Sequence, residues 1–121
     1  MDKAETLALY EQGKEAWNAW AEDILARRPE LEKADEWDDK SRVYFQDHHF
    51  GDLVDFGEFV FPGYAGFGGA TFSDDAGFDG AMFSGNVGFA GATFSGEATF
   101  SGVTFSGNAG FPATIFSGDA A

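Results

Sequence analysis

Phenylalanine recurs at positions 45, 50, 56, 61, 67, 72, 78, 83, 89, 94, 100, 105, 111 and 116, in steps that alternate five and six without a fault. Fourteen of the fifteen Phe keep this rhythm, and only Phe59 falls outside it. A helix repeats every ~3.6 residues and a strand every ~2, so neither alone explains a large ring every five or six. Two residues before most rings lies a small residue: Ala65, Ala70, Ala76, Ala81, Val87, Ala92, Ala98, Val103, Ala109 or Thr114. In an extended segment, residues two apart share a face. The small residue and the Phe therefore point inward together, while the Thr, Ser, Gly and Met beside them meet water. Glycine two places after the ring supplies the corner, where unusual backbone is needed.

The full unit is thus eleven residues, one six-residue segment and one five-residue segment. An internal period this short predicts a solenoid, in which each coil buries its inner face only by stacking on the next. A two-sided coil of eleven residues and a four-sided coil of twenty-two both fit the spacing. Asp75, Glu97 and Asp119 recur at twenty-two, with Asn86 and Asn108 between them. Gly66, Gly88 and Gly110 recur likewise, with Gly77 and Thr99 in the intervening slots. Only the longer coil sets acid over acid and amide over amide, which favours four sides. Each buried Phe contributes roughly 1.5–3 kcal/mol by transfer, against the ordering entropy of many glycines. Stacked Asn86 and Asn108 are expected to form an amide ladder, and the stacked acids to repel.

The units "AMFSG", "ATFSG" and "VTFSG" resemble those of pentapeptide-repeat proteins. "GKEAWNAW" followed by Pro29 is similar to a segment often placed just before such repeats. The resemblance implies a right-handed, four-sided β-helix with one unit per face. Departures are the sixth residue in alternate units, and the "HHF" and "FVF" that put His48 and Phe59 where Ala is expected. The fold expected is an all-β solenoid over residues 43–121, preceded by an α-helical cap over residues 1–42. In the cap, Leu7, Tyr10, Trp17, Trp20 and Ile24 mark one face of a helix over residues 4–26, with Gly13 inside it. A second short helix is predicted from Pro29 onward. A lone helix of this length is marginal in water, so its aromatic face should dock on the open end of the solenoid.

The net charge is −14 and is unevenly divided. All seven Lys and Arg lie between Lys3 and Arg42, while residues 43–121 carry nine acids and no basic side chain. Phosphate backbones and acidic leaflets need cations to hold them, so the repeat is read as binding neither nucleic acid nor membrane directly. There is no cysteine, which removes disulfides and thiolate metal sites. No apolar run approaches a spanning length, and the expectation is a cytoplasmic protein without membrane insertion.

Candidate chemistry is sparse. The serines after the rings belong to the repeat, and none has a histidine nearby in sequence. His48, His49, Asp47 and Asp52 are the only metal-type grouping, and a loop between cap and first coil explains them as well. No metal site, cofactor or enzymatic activity is assigned. The function read from the sequence is a rigid acidic module that binds another protein. Asp47, Asp52, Asp55, Glu58, Asp74, Asp75 and Asp79 are its candidate contact residues. The resemblance implies an alternative, a DNA mimic acting on a type II topoisomerase such as gyrase. Beyond residue 80, however, only Glu97 and Asp119 are acidic. An ice-binding ladder beginning with Thr71 and Thr93 is interrupted by Met82 and Ile115. Finally, "FSGDAA" leaves Phe116 and Ala120 at an open edge, so either the array continues or the ends stack in a homo-oligomer.

Overall fold

Each unit has room for only two residues of extended pairing before its corner. The computed structural model, which describes all of residues 1–121, contains fourteen such two-residue strands between Val43 and Phe116. They lie on four faces, and every pairing is parallel. Face I comprises Val43–Tyr44, Ala65–Gly66, Val87–Gly88 and Ala109–Gly110. Face II comprises His49–Phe50, Thr71–Phe72, Thr93–Phe94 and Ile115–Phe116. Val54–Asp55, Ala76–Gly77 and Ala98–Thr99 form face III, and Val60–Phe61, Met82–Phe83 and Thr104–Phe105 form face IV. Partners are always twenty-two residues apart, as in Phe50↔Phe72 and Ala98↔Ala76, so the coil is four-sided. Three coils are complete, and two faces of a fourth follow.

The register turns the Phe rhythm into four columns of parallel rings. On face I, Phe45, Phe67, Phe89 and Phe111 follow one another at 4.9 Å between centroids. On face II, Phe50, Phe72, Phe94 and Phe116 are spaced 4.7, 4.6 and 5.0 Å, with interplanar angles of 3–6°. Phe56, Phe78 and Phe100 make the third column, and Phe61, Phe83 and Phe105 the fourth. The centroid spacing approximates the coil-to-coil distance of about 4.8 Å, so ring stacking and backbone pairing impose the same rise.

Glycine serves two kinds of corner for two reasons. Corners I/II and III/IV, inside the five-residue steps, hold Gly69, Gly80, Gly91 and Gly102 at φ +67 to +72°. The turn closes by the Ala70 N–H donating to the Phe67 carbonyl at 3.1 Å, and its third residue requires positive φ. At corners II/III and IV/I the longer step needs no positive φ. There the constraint is proximity: a Cβ on Gly85 would sit 2.6 Å from the Gly63 carbonyl carbon in the preceding coil.

The cap differs from the single helix that its periodicity predicts over residues 4–26. Gly13, at φ +99°, divides it into α1 (Lys3–Glu11) and α2 (Lys14–Ala26). Glycine's access to positive φ lets the chain turn there, so that both helices reach the first coil. A capping box starts α1: the Glu5 N–H donates to Asp2 Oδ1 at 2.8 Å, and the Asp2 N–H to Glu5 Oε1 at 3.1 Å. α3 (Arg28–Lys33) carries Pro29 in its first turn, as expected, and α4 (Trp37–Ser41) leads into face I.

The aromatic face of the cap closes the solenoid. Trp17 is fully buried, its ring 5.8 Å from Phe45 and 5.7 Å from both Phe59 and Phe61. Tyr10 lies 5.1–5.9 Å from Phe45, Phe50 and Phe56. Side chains also replace the pairing partners that the first coil lacks. Asn18 Oδ1 accepts from the Val60 N–H at 2.9 Å, while its Nδ2 donates to the Glu58 carbonyl at 3.0 Å. Trp17 Nε1 donates to the Val60 carbonyl at 2.9 Å, and Thr6 Oγ1 accepts from the Tyr44 N–H at 3.1 Å. This cap accounts for the irregular first units. In interior coils the small slot abuts its copy in the next coil and fits Ala. In the first coil it faces the cap, so Phe59 fills it, 3% exposed, against Tyr10 and Trp17.

Candidate interaction surfaces

Nine Phe of the columns are fully buried in mutual contact, so the coil interior is solid and anything recognised must be recognised outside. The outward positions are not alike. Of the nine acids in residues 43–121, eight lie on one side. Asp52, Asp74, Asp75, Glu97 and Asp119 occupy corner II/III, Asp55 lies on face III, and Glu58 and Asp79 lie at corner III/IV. Six of the seven acids singled out from the sequence are therefore on one side. Asp47 is apart, at corner I/II with φ +59°. Glu97 and Asp119 belong with the six, and their twenty-two-residue spacing from Asp75 is the signal that places them.

These carboxylates do more than repel. Asp75 Oδ1 accepts from the Glu97 N–H at 2.8 Å, and Asp79 Oδ1 accepts from the Ser101 N–H at 3.0 Å. Asn86 Oδ1 accepts from the Asn108 N–H at 2.9 Å in the same way, in place of a side-chain amide ladder. Each bond runs from a corner side chain to the backbone of the next coil, and the one between the stacked acids Asp75 and Glu97 offsets part of their like-charge cost. One ion pair joins cap and repeat, Lys14 to Glu58 at 3.8 Å, and both groups are largely solvated. The Tyr10 hydroxyl is pushed above its ordinary pKa, first by burial and then by the charge of Asp55.

The C-terminal end forms the second distinct surface. Phe105, Phe111 and Phe116 are 38–39% exposed and Ile115 is 56% exposed, whereas the equivalent rings one coil earlier are buried. Phe116 stacks on Phe94 and presents its other face to solvent. Ala120 pairs with Ala98, extending face III by one bridge.

Coiling also brings together a pair that sequence proximity does not reveal. His49 Nε2 lies 2.6 Å from Ser73 Oγ, although the residues are twenty-four apart. Both are exposed on the face II side, neither lines a cavity, and no carboxylate bonds the other ring nitrogen of His49. The pair thus lacks the orienting group and the enclosure that would activate a serine. His48 and His49 point to opposite sides of their strand, and no group of three or more His, Asp or Glu is placed to hold a metal. Burial, then the nearby positive charge of Lys3, pushes the His48 imidazole below its ordinary pKa. No helix is long and apolar enough to cross a membrane.

The model for pentapeptide repeats (nine copies) matches residues 56–100 and again residues 78–121. Together these matches run over residues 56–121, more than half of the chain. The chain belongs to the pentapeptide-repeat family. The two matches start twenty-two residues apart, which is one turn of the four-sided coil. This pentapeptide-repeat chain has no match among curated proteins or solved structures. Its alternating five- and six-residue units and its ring columns are accordingly read from its own geometry.

Proposed function

We propose that this pentapeptide-repeat chain is a non-enzymatic interaction module. Its solid solenoid supports two recognition surfaces. Face III and its flanking corners meet a basic surface on a protein partner, and the C-terminal ring layer meets a second copy of the chain. The observation that carries the reading is the segregation of the outward chemistry. Acids gather on one side, exposed rings gather at one end, and the interior is filled. Exposed apolar layers of this kind mark association sites, and one-sided charge steers and orients a partner of opposite sign.

Sedimentation velocity tests the self-association. The native chain is expected to form a concentration-dependent dimer and Phe116→Glu to remain monomeric. A native chain that stays monomeric at high concentration would remove that part. For the acidic side, neutralising Asp74, Asp75 and Asp79 to Asn should abolish binding to a partner first captured with the native chain.

One observation favours the DNA-mimic reading as an alternative. The acids of corner II/III repeat in every coil, from Asp52 to Asp119, at a rise of about 4.8 Å. The other three corners have no such column, which leaves one charged edge rather than two. Gyrase supercoiling titrated with the protein separates the readings, because an inhibitor should act at micromolar levels and a general interaction module should not.

A further inference from the structure

The last layer of the solenoid presents its backbone groups in a fixed order. On face I the Val87 and Phe89 N–H groups donate forward to the Asn108 and Gly110 carbonyls of the next coil, at 2.9 and 2.8 Å. Ala109 and Phe111, which hold the same places one coil on, therefore aim their N–H groups past the end. On face II the direction is reversed. The Ala92 and Phe94 carbonyls accept from the Ile115 and Ser117 N–H groups of the next coil, at 2.9 and 2.8 Å. Thr114 and Phe116 therefore aim their carbonyls past the end. A strand residue turns its N–H and C=O to the same side, so the Ala109 carbonyl and the Phe116 N–H point that way too. Face I is richer in donors at this edge, and face II is richer in acceptors. Face III, ending in Ala120, repeats the pattern of face I, and face IV, ending in Val103 and Phe105, repeats that of face II.

The end is also a ramp. Faces I and II carry four strands and faces III and IV carry three, with Ala120 alone begun on the next layer of face III. The edge therefore climbs one rise, about 4.8 Å, from face IV through faces I and II to face III, and drops at corner III/IV. Two copies of one ramp, related by a two-fold axis across the rod, slope the same way. They meet with an even gap when their two steps fall at the same corner.

We propose that two chains join about a two-fold axis through corners I/II and III/IV, so that face II of each continues face I of the other as an antiparallel strand. This rests on the self-association proposed above and gives it a register. Ala109 exchanges both backbone bonds with Phe116 of the second copy, and the Phe111 N–H donates to the Thr114 carbonyl of that copy. The same register, carried forward along one chain and back along the other, sets Ala120 against Phe105. Each exposed ring then covers a small residue: Phe116 on Ala109, Phe111 on Thr114 and Phe105 on Ala120. Other pairings fail. Face I on face I sets donors against donors. Face I on face IV matches donors to acceptors, but its axis runs through corner IV/I and leaves the two steps apart. Charge agrees with the choice. Asp119 at corner II/III meets Ser106 at corner IV/I of the second copy, a corner without acids, so no carboxylate is stacked on another.

Disulfide mapping tests the register, because the chain has no cysteine of its own. Gly110 falls opposite Ile115 of the second copy as a non-hydrogen-bonded pair, with Cα atoms about 4.5 Å apart and within disulfide reach. Both positions face outward, and a Cβ on Gly110 meets nothing closer than Pro112 Cδ at 3.6 Å. Chains carrying Gly110→Cys, labelled with ¹⁵N, are mixed with unlabelled Ile115→Cys chains, oxidised and weighed by mass spectrometry. The mixed disulfide should exceed either homodimer at least about tenfold, since like positions lie across corner I/II from each other, too far to bridge. Ser106→Cys with Asp119→Cys is a second pair, used should circular dichroism show that the first disturbs the fold. Sedimentation velocity of the native chain runs alongside. Homodimeric disulfides in equal amount, or no cross-link from either pair while the native chain dimerises, overturn this register and leave the self-association standing. A native chain that stays monomeric overturns both.

Discussion

Truncating Phe78 is the most direct probe of the ring columns. Phe78 is fully buried, with Phe56 and Phe100 stacked on its two faces at 5.2 and 5.1 Å. The edges of Phe67 and Phe89 lie 5.7 Å away. Removing the ring forfeits its transfer energy, both stacked pairs and the packing around the hole. The neighbouring coils cannot close that hole, because backbone bonds on all four faces hold them one rise apart. Phe78→Ala should therefore cost about 3–5 kcal/mol, a large share of the roughly 5–15 kcal/mol that stabilises a domain. Phe116→Ala removes a ring that is 38% exposed and stacked on one side only, so about 1–2 kcal/mol is expected. Urea unfolding followed by circular dichroism measures both, provided midpoints are taken at two protein concentrations to separate end-to-end association. Equal losses at the two positions, or a loss below about 1 kcal/mol at Phe78, would refute the view that the columns carry the fold.

Three further outcomes follow from the corners and the cap. Gly80→Ala places a Cβ at φ +72° with 3.4 Å of clearance and should cost about 1–2 kcal/mol, whereas Gly85→Ala meets backbone at 2.6 Å and should cost more; thermal midpoints rank the two. His48 is harder to protonate when folded, so the unfolded chain binds more protons as pH falls below the ordinary 6.5. Stability should therefore drop through the folded pKa and recover above 6.5, and His48→Gln should flatten that slope in urea midpoints taken across the range. Asn18→Ala unpairs the Val60 N–H and the Glu58 carbonyl and should cost about 1–2 kcal/mol, with faster hydrogen exchange at Val60 as the readout.

The parts of this fold that were legible beforehand are those that repeat. Position in the coil is a property of counting, so the Phe spacing and the acid and amide slots at twenty-two residues were enough to choose four sides over two. What escaped notice occurs once. Nothing local marks Asn18 as a surrogate strand edge, because that role exists only after α2 docks on Val60. The break at Gly13 was a contest between helical periodicity and one residue's access to positive φ, and docking of both halves decided it. His49 and Ser73 meet because coiling shortens a separation of twenty-four residues to one rise. The acids were visible as a group, but their confinement to face III and its corners required the faces to be assigned. Asp47, one five-residue unit away, fell outside.

The two kinds of corner also govern how such a chain can change length. Corners I/II and III/IV share one geometry, and corners II/III and IV/I share the other, so the coil has an approximate half-turn symmetry that its charges do not obey. Inserting twenty-two residues would lengthen the rod and continue every stripe. Inserting eleven would preserve each turn and each ring column, yet carry everything downstream half a revolution round the axis, setting Asn columns where acids had been. A number that is not a multiple of eleven would bring a longer step to a corner built for a shorter one. Length and facing are therefore quantised together, and a genetic duplication of half a coil would re-aim the downstream surface while leaving the core unaware of it.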